Sequence, residues 1–262
     1  MGTASKVIGV EPSAISKIDG IAIASITKLG GQTIESFSST LCGDFDSLSN
    51  DYVNCGTDAT LMATTFSLSM WVKPAALTNW TIMAARDILW NGSYTPNAQG
   101  WKLMITGGGD VEFSISGGSS GCNFAKTDMT AAQWHHLVIT YDHSGTEGKI
   151  YLDGVLKDTE TMTLVFTNLA STNFLIGARN QDTGGLPGKD SWNGAIDEVG
   201  YWNSVLDATM VGEAYGGGSP ADYDNLATAP APVSWWRMGE NAGSFLGSGA
   251  NGQWRIISNN NA

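Results

Sequence analysis

The side chains of this 262-residue chain that have the means to do chemistry are few, and their spacing argues against catalysis. Asp197 and Glu198 are adjacent carboxylates. Cleaving a glycosidic bond takes one carboxyl group to protonate the leaving oxygen and a second, across the bond, to attack or to activate water. Neighbours on a strand point to opposite faces, so this pair is expected not to act together. His135 and His136 sit mid-strand and face opposite ways by the same rule, and His143 falls in a turn. The chain has no Cys-x-x-Cys and no H-E-x-x-H, the spacings that gather zinc ligands. Gly107–Gly109 and Gly216–Gly218 lack the lysine and the strand–loop–helix setting of a phosphate-binding loop and read as turns. The expectation is a protein that is not an enzyme.

Composition narrows the partners. A net charge of −12 disfavours nucleic acid and anionic membranes, which both select basic surfaces. An acidic surface serves solubility or collects a cation. Cys42, Cys55 and Cys122 leave at least one thiol unpaired, and Cys42 and Cys55 are near enough to bridge if a hairpin apposed them. The opening residues lack the basic segment, apolar run and small-residue cleavage site of a signal peptide. Ile15 to Leu29 is interrupted by Lys17, Asp19 and Lys28 and does not suit membrane insertion. Synthesis and assembly in a reducing cytoplasm are expected.

The elements that must position these groups are strands. Phe66, Leu68, Met70 and Val72 alternate along one face. Lys102–Ile105 and Val111–Ile115 flank Gly107–Asp110, and Ile150–Leu152 meets Val155–Leu156 across Asp153–Gly154, a two-residue turn signal. Trp134–Tyr141, Phe174–Gly177, Ala195–Trp202, Val233–Met238 and Gln253–Ile257 add further strands. One helix is expected after the N-cap Asp207, running to Tyr215 and stopped by Gly216. Ahead of all this, ISKIDGIAIAS (15–25) is repeated without a gap as ITKLGGQTIES (26–36). Two such strand–turn units cannot bury their apolar faces alone. The domain organisation expected is an N-terminal β-arm, 1–40, and an all-β, two-sheet antiparallel sandwich over 41–262 with one short helix.

The order of motifs over residues 44–215 resembles the laminin G-like, concanavalin A-like jelly-roll family. Asp44–Gly56 is similar to that family's F-D-G-x-x-D-Y-V opening, and Phe66–Lys73 to F-S-I-S-x-W-V-K. Trp134–Asp142, Ile150–Gly154 and Leu175–Gly177 follow in order. Trp192–Val199 then matches F-x-G-x-I-D-E-V ahead of the helix. Val233–Glu240 also looks like a family segment, one that usually precedes the domain, which leaves its pairing open. The resemblance implies a jelly roll, a packing or hydrogen-bonding role for His136, and Trp71, Trp134, Trp192 and Trp202 in the core. The β-glucan hydrolases of the superfamily carry E-x-D-x-x-E, which this chain lacks. The resemblance also implies a structural Ca²⁺ held by Asp197 with backbone carbonyls of the first strand, and Asp46 as a weaker companion, hard oxygen donors of the kind calcium takes.

An insertion relative to the family, between Arg86 and Trp101, offers Asp87, Trp90, Asn91 and Tyr94 as a glycan- or partner-binding rim. Aromatic rings there could stack on a sugar or pack on another subunit. The tandem arm more loosely resembles arms that precede such domains in structural proteins of tailed, marine and cyanobacterial bacteriophages. That resemblance implies a virion protein, made in the host cytoplasm and released by lysis. It would be a capsid decoration or tail-fibre component joined to other virion proteins and sister subunits through residues 1–40. The alternative is a carbohydrate-binding adhesin for host surface polysaccharide.

Overall fold

The computed structural model describes residues 42–48, 50–87, 100–115, 121–162, 173–179, 190–238 and 256–257, with the backbone alone at 17–18, 21–22, 28–29, 32–33, 87 and 256–257. The chain divides into two units, 1–38 and 39–262.

In the first unit β1 (Lys17–Ile18) pairs with β2 (Ile21–Ala22), and β3 (Lys28–Leu29) with β4 (Gln32–Thr33). Lys17 opposes Ala22, and Lys28 opposes Thr33. The two hairpins therefore repeat at the offset of the sequence repeat.

The second unit is a sandwich of two antiparallel sheets. Its strands are β5 (Gly43–Phe45), β6 (Tyr52–Asn54), β7 (Phe66–Pro74), β8 (Thr81–Asp87), β9 (Gly100–Ile105), β10 (Asp110–Ile115) and β11 (Gly121–Ala125). There follow β12 (His135–Asp142), β13 (Glu147–Leu152), β14 (Val155–Thr161), β15 (Leu175–Ile176), β16 (Gly194–Trp202), β17 (Ser234–Trp236) and β18 (Ile256–Ile257), with helix α1 (Ala208–Tyr215) after β16. One sheet runs β11-β10-β9-β8-β15-β6-β18 and the other β14-β13-β12-β7-β16-β17, with β5 also on β16. The turn at Asp153–Gly154 has both residues at positive φ, 51° and 78°, as a two-residue hairpin of this hand requires.

Alternation builds the core. Phe66, Leu68, Met70 and Val72 of β7 meet Leu103, Ile105, Val111 and Phe113 of the facing sheet. Phe66 is the aromatic hub, 5.4 Å from Trp101 and stacked on Tyr201 at 5.6 Å.

The segment of open pairing finds its place on β16. That strand keeps β7 on one side and shares its other edge. β5 takes Gly194–Ile196 and β17 takes Val199–Tyr201. Segments from either end of the sandwich thus complete one edge. Between the two halves the register shifts from Asp197 to Gly200, with Glu198 at φ +46°. The bulge resets the alternation, so Ile196, Val199 and Tyr201 all enter the core at spacings of three and then two.

The outer face of β7, β12 and β16 is roofed as well. Trp71, His136 and Trp202 lie under α1 and the segment after it, which lays Tyr215 on Trp71 and Tyr223 on Trp202. Asp207 caps α1 by accepting the Met210 amide at 2.9 Å, and Gly216 ends it in the left-handed region at φ +59°. Cys42 is exposed, Cys55 and Cys122 are buried, and all three thiols are free.

Candidate functional site

The expected rim falls mostly outside the described residues. Asp87 ends β8 opposite Gly100, while Trp90, Asn91 and Tyr94 lie in the segment not described. Of the expected calcium ligands, Asp197 lies on β16 and Asp46 follows β5, whose ladder on β16 ends at Phe45 opposite Gly194. Asp46 accepts the Leu48 amide at 2.8 Å, and Asp197 accepts the Glu198 amide at 2.8 Å. Among the described residues no three His, Cys, Asp or Glu side chains gather as a metal site.

The bulge also changes the reading of Asp197 and Glu198. Asp197 opposes Trp71, which lies under Tyr215, and Glu198 accepts from the indole of Trp235, which stacks on Tyr223, so both carboxylates lie on the roofed side of the sheet. Both are buried, Asp197 4% exposed and Glu198 0%. Glu198 accepts from Trp235 Nε1 and pairs with Arg237 Nε at 3.4 Å. This is a structural carboxylate pinning β17 to β16.

The histidines are structural by geometry. His135 Nε2 accepts the Thr130 amide at 2.8 Å, so its Nδ1 donates to Asp153 Oδ2 at 2.9 Å. His136 Nε2 sits 2.7 Å from Ser69 Oγ, which in turn lies 2.9 Å from the Tyr223 hydroxyl. Trp71 covers the His136 ring at 5.1 Å. Burial drives the pKa of His136 down to about 3, with Asp153 opposing weakly, so the ring is neutral. A serine and histidine in contact here cannot meet a substrate, because the roof of α1 closes over them.

One accessible group stands out that the motifs did not point to. Trp80 is 59% exposed yet held at φ +63°, a region that costs a bulky side chain about 1–2 kcal/mol. Backbone strain that persists is held by its surroundings and concentrates at functional positions. The Trp80 amide donates to Ile105 O at 2.9 Å. The indole occupies the space a side chain on residue 107 would take: a Cβ there would stand 2.2 Å from Cζ2. Asn79 Nδ2 donates to Gly107 O at 2.8 Å, and Lys126 Nζ donates to Asn79 Oδ1 and to Leu77 O. The Lys126 amide reaches Gly109 O at 3.1 Å. Two turns and the start of a third segment are thus cross-tied around one exposed indole. A tryptophan in a turn segment outside every family motif was the sequence signal. That Gly107 lies beside it is long-range information.

Comparison with known proteins fixes the lineage. The family profile described as the concanavalin A-like lectin/glucanases superfamily, a laminin G type, matches residues 47–212. The chain belongs to that family. It is 24% identical over 148 residues to a rat protein, "Sushi, von Willebrand factor type A, EGF and pentraxin domain-containing protein 1", covering 55% of this chain and 4% of that one. Among solved structures, a carbohydrate-binding protein candidate from Bacteroides ovatus aligns with TM-score 0.57 at 16% identity, over 90% of this chain and 66% of that one. A heptameric pentraxin of Limulus polyphemus aligns with TM-score 0.48 at 12% identity, over 84% and 94%. This superfamily chain spans under two thirds of the rat and Bacteroides proteins.

Proposed function

We propose that the chain is a non-catalytic carbohydrate-binding module that holds a glycan on Trp80. The observation that carries this reading is the exposed, strained and cross-tied indole. Sugars present C–H faces that stack on aromatic rings, and a ring fixed before binding loses little freedom when the sugar arrives. Membership of a lectin-bearing superfamily and likeness in fold to the Bacteroides protein support the reading. The acidic carboxylates are engaged in structure, which favours binding over turnover.

The test is affinity electrophoresis through gels carrying xylan, laminarin or hydroxyethylcellulose. Trp80→Ala is expected to lose about tenfold or more in affinity while melting as the parent does, since the ring is an exposed anchor. Retardation of the variant equal to the parent's would remove Trp80 from the site.

A second reading concerns where the module is carried. The two hairpins at 17–22 and 28–33 repeat a unit too small to be stable alone. We infer that this arm fastens the module to a larger assembly, with a virion surface as the setting. Deleting residues 1–36 is then expected to abolish incorporation into particles while the sandwich still melts cooperatively. Particles that carry the truncated chain at the normal copy number would sink the arm as anchor.

A further inference from the structure

Expected among the core tryptophans, Trp134 is 38% exposed. Among the described residues, the exposed large aromatic side chains are Trp80 and Trp134. They occupy one end of the sandwich, and two chain paths tie them to it. The first path runs from Pro74, the end of β7, through the turn to Trp80. Ala132, two residues before Trp134, donates its amide to Pro74 O at 2.8 Å. The second path is the segment that starts at Lys126, bonded at Leu77 O and Gly109 O beside Trp80, and runs to Trp134. The residues at the Trp134 end are fixed independently: His135 Nε2 takes the Thr130 amide, and His135 opposes Val72 on β7. At the chain's maximum reach of about 3.6 Å per residue, and with the Pro74–Ala132 hydrogen bond between the two arms, the tryptophan backbones stand no more than roughly 35 Å apart. A half-dozen linked pyranose rings span such a gap.

We propose, resting on the glycan-binding reading above, that Trp134 is a second stacking subsite, so that the module takes an extended polysaccharide chain across this end rather than a single sugar. The backbone on either side of both residues is hydrogen-bonded, so the separation of the two attachment points is set before the ligand arrives. One exposed ring gives a weak contact. A ligand long enough to engage the second converts that contact into an intramolecular one and gains through effective concentration, a gain that vanishes when the ligand is too short to span.

The experiment titrates the full chain with neutral β-1,4-linked xylose and glucose oligosaccharides from the disaccharide to the hexasaccharide, followed by indole fluorescence and calorimetry. Parent affinity is expected to rise by about tenfold or more between disaccharide and hexasaccharide, beyond the statistical gain from more rings. Trp134→Ala is expected to bind the disaccharide as the parent does and to lose that rise. Trp80→Ala is expected to lose the disaccharide as well. If Trp134→Ala keeps the full rise with length, the second subsite is overturned while the Trp80 reading stands. If Trp80→Ala binds the disaccharide unchanged, or no sugar of either series binds the parent, the underlying reading falls with it. Trp134→Phe, which keeps an aromatic face, should recover most of the rise, and its failure to do so where Trp134→Ala also melts early would assign Trp134 to packing instead.

Discussion

Gly194→Ala is expected to leave the sandwich unfolded, or destabilised by about 4 kcal/mol or more, in urea or thermal melts. Gly194 opens β16 at φ +135°, where L side chains are strained. A Cβ at this position would stand 2.2 Å from Lys73 O, 2.7 Å from the Ala75 amide and 3.0 Å from Pro74 Cα. All three are backbone atoms of the neighbouring β7 end, so no side-chain rotation relieves the clash. Backing away would break pairings that meet here: Gly194 opposes both Pro74 and Phe45, and the Ala75 amide donates to Asn193 O at 2.9 Å. The glycine of the Trp192–Val199 motif is therefore a packing requirement between three backbones. Gly212 is the control. It lies in α1 with nothing within 4 Å of an added Cβ, so Gly212→Ala should stabilise by about 0.5–1 kcal/mol. A stable, cooperatively melting Gly194→Ala variant would refute the account of this edge.

The second large effect is loss of stability in mild acid, through His136. Its pKa is held at about 3 in the fold against an ordinary value of 6.5. The unfolded chain thus takes up a proton below pH 6.5 that the folded chain refuses. The contribution is full above that pH and is lost as pH falls toward 3. The slope is about 1.4 kcal/mol per pH unit, on the order of 3 kcal/mol between pH 6.5 and 4.5. Ordinary net stabilities are about 5–15 kcal/mol, so this alone shifts the transition visibly. The window lies above the carboxylates held low by hydrogen bonds, such as Asp142 beside Ser144 and Glu213 beside Thr228. Those groups act only at lower pH. His136→Gln should be less stable at pH 7, since it disturbs the contact to Ser69 Oγ, but its stability should fall less steeply than the parent's between pH 6.5 and 4.5. A parent slope identical to that of the variant would show that His136 is not the group responsible.

Much of the fold was legible because local chemistry and periodicity agreed. The alternation of Phe66, Leu68, Met70 and Val72 was enough to name β7 and its core face. Asp153–Gly154 fixed a hairpin, and Asp207 with Gly216 bounded the helix, because capping and turn preferences act over a few residues. β8 and β11 were missed. Thr81–Asp87 carries no clean alternation, since its register shifts between Ile82 and Ala84. The Asp197–Glu198 rule failed for the same reason: alternation holds only where the ladder is regular, and the bulge at that point is set by what pairs on each side of β16.

By itself, then, the amino-acid sequence determined the class of this superfamily sandwich, its helix after Asp207 and the tandem hairpin arm. These follow from residue patterns within reach of one another along the chain. The tertiary structure alone decided that β5 and β17 share one edge of β16, with a bulge between them. It likewise decided that His136 is roofed and neutral, and that Trp80 is pinned beside Gly107 with Trp134 at the same end. Each depends on which distant segments meet, and contacts between segments far apart in the chain leave no periodic trace in either one.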